Sequence, residues 1–461
     1  MRIDDAARTP LWWDVVPTEP TRSPLEVTLS VDVVIVGAGF TGLWCAYHLA
    51  GFDPDLTIAV IEVNHVGFGA SGRNGGWCHA EYPLGHGQLV KDHGDEQATA
   101  HMEALFESVD EVGRIVELEA IKCDYVKGGV LTVARSELQD GWAKEEAAED
   151  ASHPGDGQHL RYLDRVEAAS MLNASGVVGA VWHPHGAAVH PAKLVHGLAE
   201  AAERRGVMIY ENSEVVGVAG GRIVTDRGAA DAGMVVLATE GYTSQFPGRK
   251  RDIVPLYSHM IATEPLPDAI WDEIGLATRA VFSDFRNLII YGQRTADGRF
   301  AFGGRGAPYH FGSRIEDGFD MDDGVHRELV RVLLELFPQL EPFSITHRWG
   351  GPLGVSRDWR PAVVVDRSEH LAWAGGYVGD GVATAQLAGR TLAELIVERD
   401  TERTSLPWVR HTWPKWEFEP LRWIGINFGL NLAKAADRRE EKTGKASRLA
   451  DMGNWLRGKR N

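Results

Sequence analysis

The first strong pattern along the chain is the run Val31-Asp32-Val33-Val34-Ile35-Val36. Its β-branched residues do not alternate with polar ones, so it reads as a strand buried on both faces. Gly37 to Gly42 interrupt it, Leu43 to Leu49 read as a helix, and Thr57 to Glu62 read as a second strand. A strand–helix–strand crossover of this kind implies a parallel sheet. Helical spacing recurs over 95–120, 136–151 and 193–205. Short strands are predicted at 207–210 and 214–218, then at 222–225 beyond the Gly220-Gly221 turn, and at 234–238. Residues 253–310 alternate as strands do, with Gly and Pro turns. A helix is predicted from His326 to Phe337, closed by Pro338, then a strand from Leu371 to Ala374 and a helix from Ala383 to Glu398.

The two ends read differently. Residues 1–30 carry Trp12, Trp13, Pro17, Pro20 and Pro24 and look like an extended arm rather than a packed element. Beyond Pro407, residues Leu421, Ile424, Phe428, Leu432 and Ala435 fall at helical spacing, and a basic stretch follows. This region reads as a helix on the body with a solvated basic end; the sharper reading is contact with an anionic surface or partner.

Charge and composition narrow the function. The chain of 461 residues suggests two or three domains, at about 100–200 residues each. A formal net charge of −18 argues against a general nucleic-acid binder, which needs basic faces. Cys45, Cys78 and Cys123 are far apart and form no CxxC pair, so neither a disulfide scaffold nor a metal site is expected. The N-terminus has no apolar signal core, and no apolar run is long enough to span a bilayer, which together read as cytoplasmic.

The chemistry begins at Gly37-Ala38-Gly39-Phe40-Thr41-Gly42, between a predicted strand and a predicted helix. Gly37 permits the tight turn, Gly39 lets backbone approach a pyrophosphate, and Gly42 lets helix and strand pack closely. The helix start then offers free N–H groups and the positive end of a dipole to phosphate. Glu62 ends the second strand, where a carboxylate accepts hydrogen bonds from a ribose diol. These features fit NAD or FAD. The following loop, Gly67-Phe68-Gly69-Ala70-Ser71-Gly72-Arg73-Asn74-Gly75-Gly76, can bring backbone N–H groups and an Arg against a second part of such a ligand.

With this loop the sequence resembles the D-amino-acid oxidase/glycine oxidase superfamily of flavoproteins, and within it the gamma-glutamylputrescine oxidase type. The matching segments are VDVVIVGAGFTGLW (31–44), IEVNHVGFGASGRNGGW (61–77), VVLATEGYT (235–243), VPLYSHMIATEPL (254–266) and WAGGYVGDGVATAQLAG (373–389). The resemblance implies an α/β fold with a Rossmann-type FAD domain and a second, antiparallel-sheet substrate domain. It divides the chain into an arm (1–30), an FAD domain (31–95, 160–250 and 347–405), a substrate domain (96–159 and 251–346) and a helical extension (406–461). It implies that Gly37, Gly39, Phe40, Thr41, Gly42 and Glu62 hold the ADP part of FAD. Ser71, Gly72, Arg73, Asn74, Gly75 and Gly76 would lie beside the pyrophosphate and ring. Val215 would meet the adenine, Thr239 the pyrophosphate, and Gly379, Gly381 and Val382 the flavin ring.

Two departures bear on substrate and acceptor. Amino-acid oxidases of the superfamily carry an Arg that pairs with the substrate carboxylate; the matching stretch here, Trp349-Gly350-Gly351-Pro352-Leu353-Gly354, has none. An amine or polyamine derivative is therefore favoured over a plain α-amino acid, although Arg305 or Arg348 would still suit an acid. Sarcosine-oxidase members carry a Lys that helps oxygen react, and the matching strand offers Ala301. The acceptor is then oxygen, aided by a cation such as His259, or another molecule. No Cys lies beyond Cys123, so FAD is expected to be non-covalent, with Cys78 and His79 outside the site. Trp77, Tyr257, His259, Tyr291, Arg305 and Trp349 are the candidate substrate-lining residues. The expected reaction is hydride loss from the carbon beside an amine nitrogen to flavin N5, giving an imine. The alternatives are an amino-acid oxidase or dehydrogenase, an NAD(P)H-using hydroxylase, and a non-catalytic flavin-binding protein.

Overall fold

The computed structural model describes residues 1, 3–152 and 159–450, apart from the side chains of Ser152 and Arg305. The apolar run becomes the centre of a strand, Thr28–Val36, in which Val33 to Val36 are all buried. It pairs in parallel with Ile58–Ile61 on one side and Ala229–Leu237 on the other. Met208–Tyr210 extends this sheet beyond Ile58–Ile61, and Leu371–Gly375 and Ala362–Asp366 extend it beyond Ala229–Leu237. The hairpin Val215–Ala219/Arg222–Thr225 also joins it through Ala229–Leu237. Helices Phe40–Phe52, Asp95–Leu118, Pro191–Arg204 and Gly381–Ile396 share one apolar core with it, through Leu43, Val109, Leu198 and Leu387 among others.

The second sheet has eight strands, in the order Ile345–Ser356, Ile253–Thr263, Phe300–Arg305, Ile290–Arg294, Val281–Asp284, Val130–Ala134, Gly179–His183 and Arg161–Asp164. Helices Asp268–Ile274 and Asp323–Leu336 seal one face of it around Phe282, Phe300, Phe302, Leu333 and Phe337. Four elements sit elsewhere than the sequence boundaries put them. Helix Asp95–Leu118 packs into the first core, although it was grouped with the second unit. Strands Arg161–Asp164, Gly179–His183 and Ile345–Ser356 belong to the second sheet, although they were grouped almost wholly with the first unit. Their partners lie far off in sequence, as with Val130 opposite His183, and local pattern does not report such pairing.

The N-terminal arm also departs from expectation. Leu11–Val15 is a 3-10 turn, and Leu11 and Trp12 are buried. The Trp12 ring stands edge-on to Trp349 at 6.1 Å and its Nε1 donates to Asn74 O at 2.7 Å. The prolines around it mark a non-helical path, but burial there comes from tertiary contact. The predicted C-terminal helix is present as Leu421–Thr443. Residues 451–461 of the expected basic end lie outside the described residues. Among the described residues no helix is long and apolar enough to cross a membrane.

One carboxylate ties the two sheets together. Glu240 follows strand Ala229–Leu237 in a left-handed conformation, φ 41°. Its Oε2 accepts from Gly354 N of the second sheet, and its Oε1 accepts from Gly376 N and Tyr377 N beyond strand Leu371–Gly375. A Cβ at position 354 would lie 2.0 Å from Glu240 Oε2, so only glycine admits this contact. The side chain borders a crevice but is walled by protein elsewhere. That desolvation pushes the carboxyl up to about 7, against the backbone N–H groups of Tyr377, Gly354, Gly376 and Gly241 that pull it down. Glu240→Ala would strand three N–H groups and is expected to cost roughly 3 kcal/mol. Urea unfolding checks this; a loss under 1 kcal/mol (roughly the low end for one unsatisfied group) would show that the clamp contributes little.

Candidate functional site

The glycine motif folds as its residue types require. Gly37 has φ +107°, and a Cβ there would lie 2.6 Å from Ala238 O. A Cβ on Gly42 would lie 2.1 Å from Gly37 O, so helix Phe40–Phe52 can abut the strand end only without a side chain. The helix begins at Gly39, which supplies no side-chain cap. Phe40 N instead donates to Ser71 Oγ at 2.8 Å, which brings the second glycine loop against the helix start. Glu62 is buried at the end of the adjacent strand and accepts from Ala38 N at 2.8 Å and Asn64 N at 3.0 Å. Burial raises its carboxyl above the usual range, while those two donors pull it down.

These groups wall a crevice of about 500 Å³. Gly37, Gly39, Phe40, Thr41, Glu62, Ser71, Asn74, Val215, Thr239, Gly379, Gly381 and Val382 all line it, whereas Gly42, Gly72, Arg73, Gly75 and Gly76 do not. The helix start with no side-chain cap from Gly39, the glycine cradle and the buried carboxylate at the end of the adjacent strand fit a dinucleotide such as FAD. Helix Gly381–Ile396 also begins at the crevice, after a turn with φ 57° at Val378 and 112° at Gly379. Tyr377 joins that turn to the first helix by a hydrogen bond of 3.0 Å between its OH and Thr41 Oγ1.

The second glycine loop is held from three sides. Within it, Asn74 Nδ2 donates to Ala70 O and Ser71 O, and Asn74 Oδ1 accepts from Gly76 N. From the arm comes the Trp12 bond to Asn74 O. From the second sheet, Gln293 Nε2 donates to Gly75 O at 2.6 Å and Gly76 O at 3.0 Å, and Trp349 Nε1 donates to Arg73 O at 2.8 Å. Gly72 faces inward, where a Cβ would meet Gly67 O at 2.4 Å, and Gly76 has φ +70°. The Arg73 guanidinium is committed within the protein: Nε donates to Phe68 O, the group lies 4.4 Å from the Phe68 ring and 4.8 Å from the Trp13 ring, and Nη1 is 3.4 Å from Asp320. Gln293, Trp12 and Glu240 were not foreseen as site residues. Each acts on backbone distant in sequence and leaves no local signature.

A second cavity, of about 590 Å³, opens beside the crevice. Ala70, Asn74, Leu353, Gly379 and Val382 line both, so the two spaces meet at these residues. Arg73, Gly75, Trp77, Tyr291, Ser258, Met260 and Gly351 wall the second space near the junction. Tyr291 OH and Ser258 Oγ are 2.7 Å apart, and the Tyr291 ring stands edge-on to Trp77 at 5.8 Å.

Several expected substrate residues lie elsewhere. Side chains alternate along a strand, so Ser258 and Met260 face the cavity while Tyr257 and His259 face away. Tyr257 packs edge-on to His310 and Phe319. His259 is fully buried, with its ring 4.9 Å from His326, and burial lowers its imidazole to about 3. It is therefore neutral and supplies no cation. Trp349 is fully buried beneath the glycine loop and positions it rather than lining the cavity. Arg348 is buried and paired with Asp323. Arg305 closes its strand opposite Ser258, and its side chain lies outside the described residues. Ala301 is fully buried in the cluster with Trp12, Met260 and Trp349.

His79, expected outside the site, lines the second cavity. Its Nε2 is 3.0 Å from Glu81 Oε2 and 3.6 Å from Asp380 Oδ1. Cys78 is buried, and its thiol is pushed up by burial. Carboxylates dominate the charged lining: Glu81, Glu103, Glu146, Asp150 and Asp380. Arg286, which also lines it, is paired with Asp284 at 2.7 Å. Crowding by the cavity wall, then the like charges of Glu81, Glu149 and Asp150, push the Glu146 carboxyl up to about 7, although the residue also opens to solvent.

Comparison with known proteins agrees with this geometry. The family described as FAD dependent oxidoreductase matches residues 32–395. Gamma-glutamylputrescine oxidoreductase of Escherichia coli is 32% identical over 386 residues, covering 82% of this chain and 86% of the relative. A probable oxidoreductase of Haemophilus influenzae is 31% identical over 397 residues, covering 83% and 86%. Among solved structures, glycine oxidase from Geobacillus kaustophilus shares the fold with a TM-score of 0.67 at 20% identity, covering 83% of this chain and 99% of its own. The chain therefore belongs to the DAO family of FAD dependent oxidoreductases.

Proposed function

We propose that this enzyme oxidises the carbon–nitrogen bond of an amine to an imine, and that its substrate is a polyamine or polyamine derivative. The observation that carries the reading is the junction of the two cavities, where a ring held in the crevice would present itself to a space rich in carboxylates. The FAD, when bound, supplies the hydride acceptor. The chain's own residues do the rest. Met260, Leu353, Trp77 and Tyr291 give the junction an apolar and aromatic wall. Gly351 keeps that wall thin beside Arg73, whose Cδ would lie 3.4 Å from an added Cβ. Position and dryness are what a neutral amine needs to lose hydride. The carboxylates of Glu81, Glu146 and Asp150 suit a second, charged nitrogen further out. The relative from Escherichia coli is named for a putrescine derivative, which supports this class.

Ala301 and the neutral His259 leave no cation at the positions expected to help oxygen. We infer an acceptor other than oxygen.

Anaerobic mixing of the FAD-loaded protein with amines should bleach the flavin absorbance with diamines and N-substituted polyamines, and much less with α-amino acids. Bleaching by α-amino acids alone would overturn the substrate class. Glu146→Gln should raise KM for a diamine roughly threefold to tenfold, a loss of about 1 kcal/mol, and leave kcat and the KM of a matched monoamine unchanged. Equal effects on both substrates would remove Glu146 from recognition. In stopped-flow mixing, the reduced enzyme should be reoxidised faster by an artificial electron-accepting dye than by air-saturated buffer; the reverse order would identify an oxidase.

A further inference from the structure

Helix Leu421–Thr443 carries a surface that amine oxidation does not use. Leu421, Ile424 and Phe428 are 66%, 52% and 51% exposed. Their spacing of three and four residues sets them in one stripe along the helix. Phe311, 50% exposed, is brought to the helix start by the bond from Gly312 N to Glu419 Oε1. A contiguous exposed apolar patch of this kind on an acidic protein calls for a partner.

The same stripe continues through Asn431 and Ala435 to Arg438 and Lys442, with exposed Arg439 and Lys445 alongside. The acids of this half are mostly turned inward. Asp437 accepts from Asn287 N and Leu288 N, and Glu440 accepts from Asn287 Nδ2 and Ser447 N. The helix cannot roll its apolar side onto the body. Arg422 is buried and donates to Lys250 O, and Asn427 bonds with Tyr309 through both its side-chain atoms. The outer face thus has an apolar half about 10 Å long, followed by a cationic half.

We propose that this face docks the enzyme on an anionic lipid bilayer. The apolar half would enter the boundary between headgroups and acyl chains, and the cationic half would lie over anionic headgroups. Charge decides between lipid and a second copy of the chain. Parallel pairing of two such helices would set Arg438 and Lys442 against their counterparts. Antiparallel pairing would set them against the apolar half. Neither neutralises the cationic half, whereas an anionic headgroup layer does. The net charge of −18 does not oppose docking at this distance, since charges more than a Debye length of about 8 Å away are screened.

The test is sedimentation of the FAD-loaded full-length protein with vesicles of phosphatidylcholine, with or without phosphatidylglycerol. Binding should require phosphatidylglycerol and weaken as salt is added. The pair Ile424→Glu and Phe428→Glu, and separately the pair Arg438→Glu and Arg439→Glu, should each reduce partitioning roughly tenfold or more. Both should keep bound flavin and dye-linked amine oxidation in solution. If one pair fails to fold, the other carries the test. Absence of binding to anionic vesicles at about 0.15 M salt, where the Debye length is about 8 Å, would overturn the proposal. So would a dimer by light scattering that Ile424→Glu and Phe428→Glu dissociate while vesicle binding is absent.

Discussion

The site depends on a place where backbone touches backbone. Gly42 brings helix Phe40–Phe52 so near the end of strand Thr28–Val36 that an added Cβ would lie 2.1 Å from Gly37 O. A Cβ on Gly37 would likewise lie 2.6 Å from Ala238 O, just past the end of the neighbouring strand. This contact aims an uncapped helix start into the gap between two parallel strands, with Glu62 held at the next strand end by Ala38 N and Asn64 N. A side chain at Gly42 would push the helix away from the strand end.

The rest of the architecture keeps the far end of that crevice in register with the second sheet. Glu240 bonds backbone from both sides of the boundary. Trp12, Gln293 and Trp349 hold the second glycine loop from the arm and from the second sheet. A loop so rich in glycine would lose much conformational freedom on ordering, and these bonds offset that cost. The Gln293 and Trp349 bonds originate in the second sheet, so they tie the loop that flanks the crevice to the wall of the second cavity.

Much of this was legible in the sequence wherever the signal was local. The continuous apolar run, the GAGFTG turn, Glu62 at a strand end and the periodic helices all correspond to observed elements. Reading fails where the deciding contact is remote. Tyr257 and His259 were chosen on residue type, yet the pleat turns Ser258 and Met260 to the cavity, and a strand paired on both edges gives no hint of which side is which. Trp349 has the right face but lies beneath the loop that covers it. Trp12 reads as part of a proline-rich arm because its partner, Asn74 O, is brought to it by folding. Glu240 passes unnoticed within VVLATEGYT, since its role lies in three N–H groups from two other segments.

The chemistry of the site depends on where the flavin ring lies, and the structure of the FAD-loaded protein with a bound, non-oxidised amine tests that most directly. The ring should rest among Ala70, Asn74, Leu353, Gly379 and Val382, with one face open to the second cavity and the amine nitrogen against it. A ring placed away from those residues, or sealed from that cavity, would contradict it.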